Sequence, residues 1–400
     1  MSKKINTLLI VRKSYLEIDW ILPVFYQIKN NNLYTLFVNE KAFNSLKKNT
    51  ILYKKWKKIN KSFYIQNKFD NFFLKFLRYL LSKLVFKKKI FLVLLHFLNY
   101  RIHDINFLKK KLKLKNSKSF DCVFNEFQKI SFWTRTLKEK SKKIKIFLFP
   151  HTTHIYSKTA SELKAIYENS FKIICDGIFL GSKIDSIMWL KKISQEKIYI
   201  TGHPKYSLKW RQNFFDKKKR KVTKILFCIK DPYNYSTFIN TKLYLEKVYD
   251  ICKNFNYLLE IKLPPYYTKS TLRLINFFKR DKINKYYIIT DNNIFSSLND
   301  SRLLINFNKS ATTLDAVSCH IPTIQLPAIN DEKANFGSND SIYTSLNLVT
   351  TATNPDDLEQ KILRILKNHS LYKKKTKKTL LKIFPDSNKA SKKIEKIIFK

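Results

Sequence analysis

"INFNKSATTLDAVSCHIPTIQLP", residues 305–327, changes its hydrophobic pattern twice. Apolar residues lead to Asn308-Lys309-Ser310, a helical stretch spans about 312–319 with Asp315 in its opening turns, and Pro322 introduces a second apolar run, "PTIQL". Strand, polar loop, short helix, strand is the grammar of a parallel sheet, because parallel neighbours need a crossover between them. The loop carries chemistry as well as geometry. Three hydroxyls (Ser310, Thr312, Thr313), a lysine and the unpaired N–H groups of a helix start suit an anion. Asp315, one turn in, could accept hydrogen bonds from ribose hydroxyls. The same letters also fit a capping box, Thr312-x-x-Asp315, in which both side chains only satisfy backbone donors. This stretch alone leaves both readings open.

Outward from it, the alternation runs the length of the chain. Strands are predicted at 5–11, 33–39, 120–127, 143–149, 171–182 and 197–202, with helices at 18–30, 41–48, 130–140 and 184–193. After "SLKWRQNFFDKKKRKV" (207–222), which reads as a charged connection, the pattern restarts. Strands at 223–229, 257–263, 285–290, 301–307 and 322–326 alternate with helices near 238–254, 270–279, 312–319 and 355–368. The last of these opens on a proline and an acidic pair, as helix starts prefer. The expected architecture is two α/β halves: an amino-terminal domain over 1–206, a carboxy-terminal domain over 223–370, and a basic helical tail over 371–400. Four hundred residues exceed what one core usually supports, which agrees with two domains.

The formal net charge of +48 raises the question of nucleic acid. Only 10 of the 78 basic residues are arginine, whereas base-reading and phosphate-clamping surfaces favour its two-pronged planar fork. The lysines accompany an excess of asparagine and isoleucine throughout, so the charge reads as codon bias on solvated faces, and no nucleic-acid partner is expected. The field would still draw anionic substrates and anionic lipid head groups. The segment inserted near 72–115 contains "FFLKFLRYLLSKLVFKKKIFLVLLHFLNY" (72–100). Its longest unbroken apolar run, about 11 residues, falls short of the ~20 that span a bilayer. It suits amphipathic helices that lie on an anionic membrane or pack on a core. Five scattered cysteines and the lack of a secretory signal point to the cytoplasm, with peripheral contact at the inner face of the cell membrane as the membrane variant. No metal site is expected.

Glycine is nearly absent: 4 residues, against the roughly 28 that average usage would give. The survivors mark backbone positions that resist a side chain: Gly177 and Gly181 in "DGIFLGS", Gly202 in "TGHPKY", and Gly337. Gly202 ends the last strand of the first half, at a carboxyl edge of the kind where open α/β sheets bind ligands. "FLFPHTTHIYS" (147–157) sets His151 and His154 directly after another strand. Histidine titrates near neutral pH and suits a general base.

Together these motifs resemble the GT-B glycosyltransferases. More narrowly they resemble bacterial surface and capsule polysaccharide enzymes related to CDP-glycerol glycerophosphotransferases and UDP-N-acetylglucosamine 2-epimerases. The resemblance covers about residues 140–370. Gly202-His203-Pro204-Lys205-Tyr206 matches the element that often ends the first half, with Ser207 where an aspartate commonly follows. Lys262-Leu263-Pro264 matches a strand end that elsewhere reads K-H-P, but without the histidine. Ser310 through Asp315-Ala316 and Ile321-Pro322 match the nucleotide element, with aspartate for glutamate and His320 where glycine is usual.

The resemblance implies two Rossmann-like domains facing a cleft, and a metal-independent transferase without cofactor. A sugar or related group would move from a nucleotide-activated donor to a carbohydrate or lipid-linked acceptor. His151 is the first choice for the base and His154 the second. Gly202, His203, Lys262, Ser310, Thr312, Thr313 and Asp315 are the expected nucleotide residues. Two alternatives compete: a UDP-sugar 2-epimerase, disfavoured by a glycine-free "KSATT" loop, and a non-enzymatic basic protein that binds nucleic acid or membrane.

Overall fold

The computed structural model describes residues 4–12, 14–28, 30–66, 105–114, 119–126, 134, 137–139, 141–150, 173–190, 193–215, 223–232, 235–264, 267–307, 310–327 and 342–399. They form two compact units, parted between Lys205 and Tyr206, and residues from Ser387 onward rejoin the first. His151, His154, Gly337 and the 72–100 segment lie outside the described residues. No described helix is long and apolar enough to cross a membrane.

The first unit is built on a seven-stranded sheet ordered β3-β2-β1-β4-β5-β6-β7, parallel throughout. The strands are β1 Ile5–Val11, β2 Asn31–Phe37, β3 Asn60–Ile65, β4 Cys122–Glu126, β5 Lys145–Phe149, β6 Gly177–Leu180 and β7 Ile198–Ile200. Strand order reverses between β1 and β4, the topological switch point at which such sheets bind ligands. The central strands are continuous buried apolar runs because helices cover both faces. Helix α1 (Tyr15–Gln27) starts earlier than its apolar pattern predicts: Ser14 caps it by accepting from Leu16 N, and buried Glu17 fills its first turn. Helices α2 (Glu40–Lys48) and α3 (Thr50–Ile59) follow, then α4 (Ile105–Lys111) and α5 (Lys183–Trp189). The last helix, Ala390–Ile398, buries Ala390, Ser391, Ile394 and Ile398 and packs on α1.

The second unit carries a six-stranded parallel sheet ordered β10-β9-β8-β11-β12-β13. Its strands are β8 Lys224–Cys228, β9 Leu258–Lys262, β10 Tyr287–Thr290, β11 Ser301–Phe307, β12 Thr323–Leu326 and β13 Thr350–Thr351. The opening stretch is indeed strand, helix, strand: β11, α10 and β12. The helices are α6 Leu208–Arg211, α7 Tyr235–Asn254, α8 Lys269–Asp281, α9 Ile294–Leu298, α10 Thr312–Ser318, α11 Ile342–Ser345, α12 Pro355–Lys367 and α13 His369–Ile383.

The stretch read as a charged connection is not merely solvated chain. Trp210 and Phe214 are buried, Phe214 packs against Phe295, and Ser296 Oγ donates to the Phe214 carbonyl at 2.8 Å. Two aromatic anchors outweigh the lysines around them.

Candidate functional site

In the second unit the carboxyl ends of the strands line up in register. Thr290 pairs with Lys262, Lys262 with Cys228, Cys228 with Asn306, Asn306 with Gln325, and Gln325 with Thr351. The row one residue earlier reads Ile289, Ile261, Phe227, Ile305, Ile324. From β10 to β12 this apolar row gives way to one that is polar on every strand but β8, where Cys228 stands. In-register residues of a parallel sheet point to the same face. Lys262, Cys228, Asn306 and Gln325 thus share one side, and hydrogen bonds from both amides to α10 identify it.

Those bonds build the loop. Asn306 Nδ2 donates to Thr312 Oγ1 and to Thr313 Oγ1, both at 2.9 Å, and Gln325 Nε2 donates to Thr313 Oγ1 at 2.9 Å. The Ser310 and Thr312 hydroxyls lie 2.8 Å apart. Helix α10 is preceded by Ala311 and has no side-chain cap. Thr312 sits inside the helix, so the capping box does not form. Its hydroxyl is committed to Asn306 and Ser310 instead. Thr313 is fully buried, its hydroxyl accepting from both amides beneath the loop. Ser310 and Thr312 stay half-exposed above it. The amide oxygens of Asn306 and Gln325 are buried and accept no hydrogen bond from the described residues.

Cys228 is the meeting point of residues drawn from three motifs. Its thiol hydrogen-bonds Thr312 and lies within electrostatic reach of Lys262 and Asp315, while burial pushes its pKa up to about 12. The thiol is therefore a neutral filler and no nucleophile. Lys262 is 7% exposed, and its ammonium donates to the Leu263 carbonyl at 3.1 Å. Desolvation draws its pKa below the ordinary lysine value, opposed by the carboxylates of Asp291 and Glu260. A lysine held half-desolvated beside acceptors gains when a further negative charge arrives. Asp315 is also buried, one turn into α10.

Behind α10 the chain turns in a Schellman motif. Ile321 N donates to the Ala316 carbonyl at 3.0 Å and His320 N to the Val317 carbonyl at 2.9 Å. His320 takes φ = 60°, the left-handed conformation that glycine adopts most easily. The histidine at the position where the resembled family usually has glycine therefore keeps that glycine's backbone.

Gly202 and His203 belong to the first unit, where they serve its sheet edge. Gly202 has φ = 84° and lets the chain turn out of β7. His203 is 1% exposed. Trp20 Nε1 donates to His203 Nδ1 at 2.7 Å, which fixes the neutral tautomer with its proton on Nε2. The imidazole lies directly over Gly181: a Cβ there would stand 1.9 Å from His203 Nε2. The bond from Trp20 and the position over Gly181 tie the imidazole into the packing of the first unit's sheet edge.

The same edge holds two buried carboxylates that sequence reading passed over. Glu126, fully buried, ends β4 in register with Phe149. Asp185 closes a capping box with Ser182. Burial raises the Asp185 pKa to about 7, partly offset by hydrogen bonds from Ser182 and the Gly181 backbone.

No protein-family model and no curated protein matches the chain. Solved structures do. The UDP-GlcNAc 2-epimerase from Methanocaldococcus jannaschii superposes with TM-score 0.56 at 12% identity, over 98% of this chain and 100% of that one. The UDP-GlcNAc 2-epimerase from Neisseria meningitidis bound to UDP-GlcNAc gives TM-score 0.60 at 10% identity, over 99% and 100%. The wall teichoic acid polymerase TagF (H548A) gives TM-score 0.59 at 11% identity, over 99% and 88%. At these identities the likeness establishes the fold: two Rossmann-like parallel-sheet domains of the GT-B kind.

Proposed function

We propose that the chain is a GT-B glycosyltransferase. It would transfer a sugar or related group from a nucleotide-activated donor to a carbohydrate or lipid-linked acceptor of the cell surface. The observation that carries this reading is the in-register row of Lys262, Cys228, Asn306 and Gln325 at the carboxyl edge of the second sheet, whose two amides hold Thr312 and Thr313 at the start of α10. Ser310 and Thr312 hold the donor phosphates, Asp315 the ribose, and Thr313, Asn306 and Gln325 keep those hydroxyls aimed. Lys262 meets the charge that grows on the leaving diphosphate, an interaction stronger in the transition state than in the ground state. Gly202 and His203 shape the first unit's edge. The acceptor's proton goes to His151, or failing that His154.

A UDP-sugar 2-epimerase is the second reading, favoured by the 2-epimerases among the structures that superpose over nearly their whole length. One experiment separates the two. The protein is screened by thermal shift with UDP, CDP, CMP and GDP, and then incubated with the sugar nucleotide of the stabilising base. An isomerised sugar nucleotide formed without acceptor selects the epimerase. Release of free nucleotide that depends on an added acceptor selects the transferase. If no nucleotide stabilises the protein, or if Asp315→Ala leaves the stabilisation unchanged, the assigned site is wrong.

A further inference from the structure

Helix α13 carries Lys373, Lys374, Lys375, Lys377, Lys378 and Lys382 in fifteen residues, and none of them pairs with a carboxylate among the described residues. Thr376 is its one buried residue. At about 100° per residue, Leu371, Lys374, Lys375, Lys378, Leu381 and Lys382 fall on the half-cylinder opposite Thr376. All six are exposed. The two leucines, at 66% and 61% exposure, are the most exposed leucines among the described residues. They stand about 15 Å apart on the helix axis, with lysines between and beside them.

Three occupants could cover such a face, and its chemistry separates them. A nucleic acid would neutralise the lysines but gain little from two leucines and prefers arginine. A second copy of this chain would bury the leucines, but a two-fold interface would set lysine against lysine, which is repulsive. An anionic bilayer satisfies both features. Lysine stems lie along the surface with their ammonium groups at phosphate level, and leucines enter the acyl boundary. We infer that the outward face of α13 docks on anionic lipid bilayers, with Leu371 and Leu381 as inserted anchors. The inference is independent of the reaction proposed above.

The test uses the full chain and floated vesicles of phosphatidylcholine, alone or equimolar with phosphatidylglycerol. Binding to the mixed vesicles and not to the neutral ones is expected. Replacing Lys374, Lys375, Lys378 and Lys382 with Gln should weaken it by about five-fold per lysine at low salt. The charge-neutral pair Leu371→Ser/Leu381→Ser should weaken it by about ten-fold or more. Four Lys→Gln changes at exposed Lys41, Lys48, Lys54 and Lys57 serve as control and should cost far less. All the substituted side chains are exposed, so unchanged thermal unfolding checks that the variants stay folded. The inference fails if the leucine pair binds like the parent, or if the control loses as much as the α13 set. It also fails if the α13 lysines govern binding to single-stranded RNA while the leucines govern nothing. A concentration-dependent dimer that the leucine pair dissolves would assign the face to a second copy and overturn it too.

Discussion

Lys224 opens β8 with only 2% of its surface exposed, and it holds two carboxylates. Its ammonium lies 2.7 Å from Glu260 on β9 and pairs also with Asp300, immediately before β11. Side-chain exposures of 6% for Glu260 and 16% for Asp300 leave little water to replace the lysine. Lys224→Met keeps the stem and removes the charge, so both acids lose their partner in a poorly solvated place. Removing one member of a buried pair costs about 3–5 kcal/mol. Asp300 keeps partial access to water, so about 3–4 kcal/mol is expected, a large share of the 5–15 kcal/mol that holds a typical domain.

The assay is amide hydrogen exchange of β8, β9 and β11 in graded urea, which reads this sheet separately from the other unit. Adding Glu260→Gln to Lys224→Met should recover part of the loss. The reasoning is refuted if the single variant loses less than about 1 kcal/mol, or if the second substitution adds its full independent cost, since residues in contact should not behave additively.

The other predictions concern single positions. Asp185, with its pKa raised to about 7, favours the protonated form when folded. Between about pH 4 and 7 the folded state therefore holds more protons, and stability falls as pH rises. Asp185→Asn should remove that slope and raise stability at pH 8, with roughly 4 kcal/mol as the ceiling set by the shift from 3.8 to about 7, less whatever the altered capping box costs. His320 shows the opposite sign. Burial and the cations Arg211, Lys377 and Lys373 lower its pKa to about 4, so stability falls as pH drops from about 6.5 towards 4. His320→Gly should remove this acid sensitivity and relieve about 1 kcal/mol of left-handed strain, measured by calorimetry at pH 5 and pH 8. Gly181→Ala should push His203 off Trp20 at a cost of about 1–3 kcal/mol, seen in urea titration with an altered Trp20 emission. His203→Ala in the same chain should restore part of it.

Strands that read as apolar runs were predictable because burial on both faces leaves its mark on every residue. The predicted spans 5–11 and 301–307 coincide with β1 and β11. Strand β3, "NKSFYI", escaped notice because it lies at the sheet's edge with no fully buried residue, and α3 is masked by lysines around its two buried side chains, Leu52 and Trp56. β13 is a residue pair, too short for any period. At the site, Ser310, Thr312, Asp315 and Lys262 could be picked out as polar residues in loops and at strand ends. Asn306, Gln325 and Cys228 could not, because what makes them neighbours is sheet register, which a linear pattern does not record. One trace of them was present: single amides in "INF" and "TIQL", each polar in an otherwise buried run.

The return of helix Ala390–Ile398 to α1 orders events during synthesis. Among the described residues the second unit is the continuous stretch 206–386, and this stretch can close as soon as it has cleared the ribosome. The first unit, though translated earlier, must wait for its closing helix, with the buried flank of α1 uncovered meanwhile. A nascent chain stalled before residue 390 should therefore be the form that holdase chaperones retain. Excising the second unit as a free-standing fragment should succeed where cutting out residues 4–205 would not.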